Sequence, residues 1–219
     1  MKKWLKNVSF VILLLKSCIF LGQDLNVKKR VVIDPGHGGN DSGALGQNSV
    51  REKEVVLNIA NAILRLNEKA SSPLEIYSTR YNDTLVSLSD RVKLAKALKA
   101  DLFFSLHCNH SDNSDARGVE VFVANQDSKF SDATIWFGFQ LQAELNEKLG
   151  FESRGVKSAN FQVLRKTTGF MPSVLLELGF LSNSDEGSYF LKPDSLKALA
   201  LVIWECLIEN LNSYEGVGD

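Results

Sequence analysis

The sequence has few histidines, cysteines and prolines, and no excess of charge of either sign. Its 219 residues include 3 histidines, 3 cysteines and 4 prolines, and its 25 basic and 26 acidic side chains give a formal net charge of −1. This balance removes the electrostatic basis for binding nucleic acid. There is no internal repeat, low-complexity tract or Pro/Gly/Ser-rich linker. With 44% hydrophobic residues, the composition indicates one domain with a substantial core.

Strongly apolar runs are also scarce, and the most apolar one lies near the N-terminus. Three lysines within the first six residues precede a run from Val8 to Leu21 that contains one lysine. A charged start before an apolar stretch shorter than the roughly 18 residues of a spanning helix is typical of a signal peptide. We therefore expect residues 1–22 to be an export signal and residues 23–219 to be the mature domain, in the periplasm or cell-wall space. A retained membrane anchor is the alternative, and lipidation of Cys18 is a weaker one.

Removal of the signal would leave two cysteines, Cys108 and Cys206. An exported protein could pair them in a disulfide. However, Cys206 lies in an apolar helical run, Cys108 follows a histidine at a strand end, and nothing in the sequence places them together. We expect both thiols to be free and buried.

Strands and helices are predicted to alternate along the mature chain. The predicted strands are Val31–Ile33, Leu74–Arg80, Asp101–His107, Gly118–Ala124, Asn160–Leu164 and Ser173–Leu178, and the predicted helices are Glu52–Ala70, a segment from residue 87 or 89 to about 100, Thr134–Leu149 and Asp194–Leu211. This order predicts a single α/β domain with a mostly parallel or mixed sheet and helices on both of its faces.

One of the three histidines lies in an unusually glycine-rich turn. The segment "VVIDPGHGGNDSG", Val31 to Gly43, contains His37 between Gly36 and the pair Gly38–Gly39, and Pro35 precedes Gly36. Glycines let the backbone follow a path that a side chain would block, and Pro35 fixes the entry to the turn. Either the histidine serves the turn, or the turn serves to hold the histidine in place.

The other unusual polar residues also lie where strands end. His107 ends "DLFFSL", and Glu177 ends "SVLL", a continuous apolar run typical of a strand buried on both faces. Ligand sites in open α/β sheets form at the carboxyl ends of strands. Glu52 lies on the same stripe of its predicted helix as Val56, whereas Glu54 lies roughly 160° around that helix, toward water.

These four residues together fit a catalytic zinc site. Two imidazoles and one carboxylate, with an open position for water, are a usual ligand set, which makes His37, Glu52 and His107 the candidate ligands. Glu177 is then the candidate general base and acid. Each residue alone is weak evidence for a zinc site. Glu52 could instead serve the helix dipole, and a lone histidine at a strand end is more often structural. The sequence also contains no H-E-x-x-H motif.

Six segments carry a resemblance to a known family. They occur in the order "IDPGHGGNDSGALG", "EKEVVLNIA", "STRYNDTLVSLSDR", "FFSLHCNH", "GVEVFV" and "SANFQVLRKTTGFMPSVLLELGFLSNSDE". In these segments, which span most of the mature chain, the sequence resembles the zinc-dependent N-acetylmuramoyl-L-alanine amidases of the cell-separation type.

The resemblance implies a fold, a reaction and a set of site residues. The fold would be a twisted, mostly parallel sheet flanked by helices. The reaction would be hydrolysis of the amide between the lactyl group of N-acetylmuramic acid and L-alanine in peptidoglycan. His37, Glu52 and His107 match the zinc ligands of the family, and Glu177 matches its catalytic glutamate, in agreement with the reasoning from the residues.

The resemblance also indicates three further candidate site residues. We expect Asn109 to orient the metal site or the substrate, and His110 to line the cleft as a non-ligand. Arg165 is expected near the groove, where it could meet stem-peptide carboxylates. Arg80 and Arg91 fall in matching segments, and we interpret them as surface or intradomain ion pairs, which are usually weak.

The length of the chain bears on which partners the protein needs. Some members of the family carry an inhibitory helix over the zinc, but Asn125–Gly155 has room for one ordinary helix, so we expect an open site. We also expect no separate wall-binding module. Binding to peptidoglycan would depend on the groove or on a recruiting protein, and we expect a monomer.

Two alternative functions remain open. A thiol hydrolase would use Cys108 with a nearby histidine, although neighbours along a strand point to opposite faces. A non-catalytic peptidoglycan-binding protein would retain the fold but would be expected to lack a ligand or the general base.

Overall fold

The central sheet is mixed and has six strands. The structure is a computed structural model that describes residues 27–46 and 49–213, so the predicted signal segment lies outside the described residues. The strands are β1 (Arg30–Pro35), β2 (Glu75–Ser78), β3 (Leu102–Asn109), β4 (Val119–Ala124), β5 (Ser153–Ala159) and β6 (Ser173–Phe180). Their order is β2-β1-β3-β6-β4-β5, and every neighbouring pair is parallel except β4 and β6.

Six helices lie in the described part of the chain. They are α1 (Glu52–Lys69), α2 (Leu88–Ala97), α3 (Ser131–Leu149), α4 (Gln162–Thr167), α5 (Ser184–Phe190) and α6 (Pro193–Ser213). Within these residues, no helix combines the length and the apolar character that crossing a membrane requires.

Two hydrophobic clusters cover the two faces of the sheet. Val31 and Ile33 of β1 pack in the larger cluster with side chains of α1, α3 and α6. Val32 points to the opposite face and packs in the smaller cluster with α2 and α4. The prediction of a single α/β domain with a mostly parallel or mixed sheet and helices on both faces is therefore confirmed.

The structure corrects one predicted strand. Residues 160–164 were expected to be extended, but α4 begins at Gln162, and its neighbouring residues Val163 and Leu164 are both buried in the smaller cluster. The strand of this region is β5, which comes earlier. Its sequence "SRGVKSA" is rich in residues that disfavour strands, and its extended form depends on pairing with β4.

Cys108 and Cys206, the cysteines of the described residues, are free and buried, as expected. Cys108 packs in the larger cluster from β3, and Cys206 packs in the same cluster from α6.

Candidate metal centre

Three residues that are distant in the sequence converge at one edge of the sheet. His37 follows β1, Glu52 is the first residue of α1, and His107 lies near the end of β3. Their potential ligand atoms all lie within 4.8 Å of one another. The carboxylate of Glu52 lies between the rings: Oε2 is 3.1 Å from His37 Nε2, and Oε1 is 2.9 Å from His107 Nδ1.

Backbone groups fix the carboxylate of Glu52. The amide of Ala44 donates to Oε2 over 2.8 Å, and the amide of Cys108 donates to Oε1 over 3.0 Å. Burial alone would raise the pKa of Glu52, but its hydrogen bonds with His107 and His37 outweigh burial and hold that pKa well below its usual range. Glu52 is therefore ionised and aimed at both imidazoles.

The backbone of His37 is strained. Its φ of 58° lies in the left-handed region, which is uncommon for a residue with a side chain and costs roughly 1–2 kcal/mol. Its Nδ1 lies 2.8 Å from Asp41 Oδ2, which leaves Nε2 to face Glu52. Asp41 was not identified from the sequence, because a spacing of four residues brings side chains together reliably only in a helix, and this segment is a turn.

Charge around His37 determines its protonation. Burial lowers the pKa of the imidazole, but the hydrogen bonds and negative charges of Glu52 and Asp41 outweigh burial and raise it to about 9. A carboxylate that accepts from a ligand histidine orients the ring and makes it more basic.

Two glycines leave room for the cluster. A Cβ at Gly36 would lie 2.2 Å from Cε1 of His107, and a Cβ at Gly43 would lie 2.4 Å from Oε2 of Glu52. Gly43 also has a φ of 64°. Gly36 and Gly43 are thus glycines because the imidazole and carboxylate occupy the space that their side chains would need.

Gly36→Ala should disrupt the cluster without unfolding the protein. The added methyl group would displace the ring of His107, and groups that orient metal ligands are worth about 10- to 100-fold in metal affinity. Zinc affinity, measured by competition with a chromophoric chelator, should fall by about 10-fold or more. Gly169→Ala is the control, since a Cβ there meets no atom within 4 Å. Equal zinc affinity in both variants would contradict the assignment.

Two buried arginines hold the backbone of the turn. Arg80 donates to the carbonyls of Pro35 and Gly36 over 3.0 and 2.8 Å. Arg91 donates over 2.7 Å to each of three acceptors: the carbonyls of Pro35 and His37, and the carboxylate of Asp34. Each arginine is only 3% exposed. Arg91 does form the expected intradomain ion pair, with Asp34, but the expectation of exposed, weak pairing is wrong for both arginines. A short sequence does not show which carbonyls a distant guanidinium will reach.

Arg91→Ala should destabilise the fold strongly. It would leave the buried carboxylate of Asp34 without its cation, a loss that typically costs about 3–5 kcal/mol. Urea unfolding followed by circular dichroism measures the change. Lys93→Ala removes an exposed ion pair from the same helix and should leave stability nearly unchanged. Equal unfolding midpoints for the two variants would show that Arg91 does not hold the turn.

Glu177 lies beside the cluster on the next strand. It is the register partner of His107 across the parallel β3–β6 pair. Its Oε2 is buried and has no hydrogen-bond partner among the described residues. Burial, outweighing the attraction of the histidines, raises the pKa of Glu177 to about 7. Such a carboxyl can both accept and donate a proton near neutral pH.

The three further candidates lie outside this cluster. Asn109 donates through Nδ2 to Glu120 Oε2 over 3.1 Å. His110 is exposed, and its backbone amide donates to Asn109 Oδ1. The guanidinium of Arg165 donates to Asn160 in the preceding loop. Glu120, a buried carboxylate opposite Glu177 on β4, was missed, although a lone acid in the apolar strand "GVEVFVA" is a visible signal.

A groove of about 620 Å³ opens beside the cluster. His37 and His107 line one side, and the loop before α2 and Val163 of α4 line the other. The one helix between residues 125 and 155 is α3. It packs in the larger cluster, on the face of the sheet opposite to the groove.

The residues fit a metal ion. Their donor set of two imidazoles and one carboxylate matches the ligands that catalytic zinc uses, and Glu52, already ionised, can bind without losing a proton.

Cys108 does not suit the role of nucleophile. Its side chain lies in the larger cluster, and burial raises the pKa of its thiol well above the usual value. Since the thiolate is the reactive form, this environment favours an inert structural cysteine.

The chain is similar to known proteins over most of its described length. A sequence model of the family described as N-acetylmuramoyl-L-alanine amidase matches residues 31–209. The chain is 42% identical over 165 residues to "N-acetylmuramoyl-L-alanine amidase LytC" of Bacillus subtilis (strain 168), covering 74% of this chain and 31% of LytC. It is 34% identical over 188 residues to "Probable cell wall amidase LytH" of Staphylococcus epidermidis, covering 85% of this chain and 58% of LytH.

The fold is also similar to a solved catalytic domain. That domain belongs to CwlV, an N-acetylmuramoyl-L-alanine amidase from Bacillus (Paenibacillus) polymyxa var. colistinus. The TM-score is 0.76 at 37% identity, and the match covers 84% of this chain and 98% of the CwlV domain. The chain therefore matches nearly all of one solved catalytic domain, but less than two thirds of the length of LytC and LytH.

Proposed function

Because the chain belongs to the N-acetylmuramoyl-L-alanine amidase family, we propose that it hydrolyses the amide between the lactyl group of N-acetylmuramic acid and L-alanine in peptidoglycan. The observation that carries this proposal is the convergence of His37, Glu52 and His107, with Glu177 beside them on the next strand.

His37, Glu52 and His107 would hold a zinc ion. When bound, the zinc supplies Lewis-acid polarisation of the scissile carbonyl and makes the attacking water more acidic. Glu177 accepts a proton from that water and delivers it to the nitrogen of L-alanine as the amide bond breaks. Asp41 keeps the ring of His37 oriented, and the turn held by Arg80 and Arg91 keeps it in place.

The setting proposed for this reaction is the cell wall. A signal at residues 1–22 would export the domain to its substrate, and LytH, a relative, is named a probable cell wall amidase. A monomer with an accessible groove needs no activator, although another protein could recruit it to the wall.

Digestion of defined muropeptides tests the proposal. The purified protein with zinc should release free stem peptides, identified by mass, without an added activator, and a chelator should stop the release. Cys108→Ser should retain this activity. Binding to murein without any cleavage would instead support the non-catalytic alternative, and full activity of metal-free protein would refute the zinc scheme.

Metal uptake should release protons. In the metal-free cluster the pKa of His37 is about 9, so its imidazole is protonated at neutral pH and must lose that proton to become a ligand. Zinc affinity should therefore rise about 10-fold per pH unit between pH 6 and 8 and level off near pH 9. Calorimetric titrations in buffers with different heats of ionisation measure the released proton. His110→Gln should leave the release unchanged, and buffer-independent heats at pH 7 would contradict the prediction.

A further inference from the structure

A row of polar side chains crosses one face of the sheet beside the metal centre. His107 on β3 pairs in register with Glu177 on β6, and Glu177 pairs with Glu120 on β4. Beyond β4, the edge strand β5 contributes Arg154 and Lys157, which both bond to Glu120. The row runs from the predicted reaction centre to two cations at the edge of the sheet.

A β-bulge brings the two cations together. Val119 pairs with Ser153 and Val121 pairs with Val156, so β5 has one more residue than β4 over this interval. Side chains three positions apart point to opposite faces of a regular strand. The extra residue, made possible by Gly155 with a φ of 89°, places Arg154 and Lys157 against the same carboxylate oxygen. Bulges commonly redirect side chains next to active sites.

The positive charge of Arg154 and Lys157 exceeds the negative charge of the carboxylate to which they bond. Glu120 has a side chain that is 6% exposed, whereas Arg154 and Lys157 are 37% and 42% exposed. Burial alone would raise the pKa of Glu120, but the bonds from Lys157 and Arg154 outweigh burial and lower it. One ionised carboxylate thus faces two cations, and the group carries one net positive charge.

Both cations retain donors for a ligand. Lys157 uses one described hydrogen bond, through Nζ to Glu120 Oε1 over 2.7 Å, out of three possible. Arg154 uses Nε toward Glu120 and Nη1 toward the carbonyl of Arg117. Its guanidinium also lies 5.0 Å from the centre of the Phe180 ring. The site is therefore preorganised and still accessible.

The spacing matches a peptide that leaves the reaction centre. Two strand spacings separate Glu177 from Lys157, roughly 10 Å. An extended peptide covers that distance in about three residues. On the other side of the centre, the groove is lined by Asp41 and Asp90, each of which already has a cationic partner. That side therefore offers no surplus positive charge to an anionic chain.

We infer that Arg154 and Lys157 form a binding site for a carboxylate two or three residues along the stem peptide. This inference depends on the proposed amidase function and concerns its substrate class, an acidic stem peptide laid across β4 and β5. It replaces Arg165, whose guanidinium bonds to Asn160, as the arginine that meets the stem peptide.

Two substrates test the site. They are N-acetylmuramoyl tripeptides that differ only in having free carboxylates or carboxamides on the second and third residues. The unmodified protein should cleave the free acid with a kcat/KM about 10-fold higher than the amide, the size of one hydrogen bond between charged groups. Lys157→Met should lower kcat/KM on the free acid toward the value for the amide, and Lys157→Arg should restore the difference.

Controls separate binding from folding. Lys157→Met leaves Arg154 bonded to Glu120, so its unfolding midpoint and zinc content should match those of the unmodified protein. Arg165→Met should retain the preference for the free acid. Equal cleavage of both substrates, or loss of the preference in Arg165→Met alone, would overturn the inference and leave the amidase function intact. Cleavage of neither substrate by the zinc-loaded protein would overturn the proposed function itself.

Discussion

Glu177→Gln should strongly reduce turnover while the protein keeps its metal. Glutamine retains the shape of the side chain but can neither accept nor donate the proton. A positioned general acid–base group contributes about 10²–10⁴-fold, so kcat on muropeptides should fall by that factor. Zinc stoichiometry, measured by elemental analysis, should remain unchanged, because Glu177 lies beside the three candidate ligands and not among them.

The same substitution should change how the stability of the metal-free protein depends on pH. Burial raises the pKa of Glu177 from its ordinary value near 4.5 to about 7. The folded state therefore binds this proton more tightly than the unfolded state. The resulting stabilisation is complete below pH 4.5 and is lost as the pH rises through 7. Glu177→Gln should remove this part of the pH dependence.

A matched control tests whether the position matters. Glu54 is exposed on the outer face of α1, so Glu54→Gln makes the same chemical change away from the site. It should leave both kcat and the pH profile of stability unaltered. If Glu177→Gln retained more than about a tenth of the activity, general acid–base catalysis by Glu177 would be excluded.

His37→Ala should lose both metal and turnover. Removing one of the three candidate ligands should take away the several kcal/mol that a bound metal contributes to catalysis, which corresponds to about 10³-fold or more in kcat/KM. Zinc should also cease to raise the unfolding midpoint, because only binding to the native state stabilises it.

His37→Gly separates the role of the ligand from the strain in the turn. Glycine adopts a φ of 58° without the cost that alanine incurs. Both variants should lose zinc, while the glycine variant should be the more stable of the two in urea. A glycine variant that still bound zinc with the affinity of the unmodified protein would rule out His37 as a ligand.

The site was predictable where the signal was local. The helical period alone indicates that Glu52 faces inward, and the structure shows it buried while Glu54 is exposed. The apolar run before Glu177 predicts a buried strand, and β6 is one. The glycine turn indicates that the backbone around His37 meets a close neighbour, and that neighbour is the ring of His107 against Gly36.

The rest depends on contacts between distant segments. Arg80 and Arg91 reach the turn across some 45 and 56 positions of sequence, and no local pattern encodes which carbonyls they meet. Lys157 acquires its partner only because a bulge shifts β5 against β4. The segment "SRGVKSA" has little strand preference of its own, so pairing with a neighbour, and not composition, determines its form.

The antiparallel direction of β4 has a consequence for how this scaffold could be enlarged. Because β4 runs antiparallel to β6, the connection at residues 110–118 lies at the carboxyl end of β6, beside the candidate metal centre, whereas the one at residues 125–130 lies at the opposite end of the sheet. A segment inserted into the first connection would change access to the groove. A segment inserted into the second would extend the molecule far from the candidate metal centre.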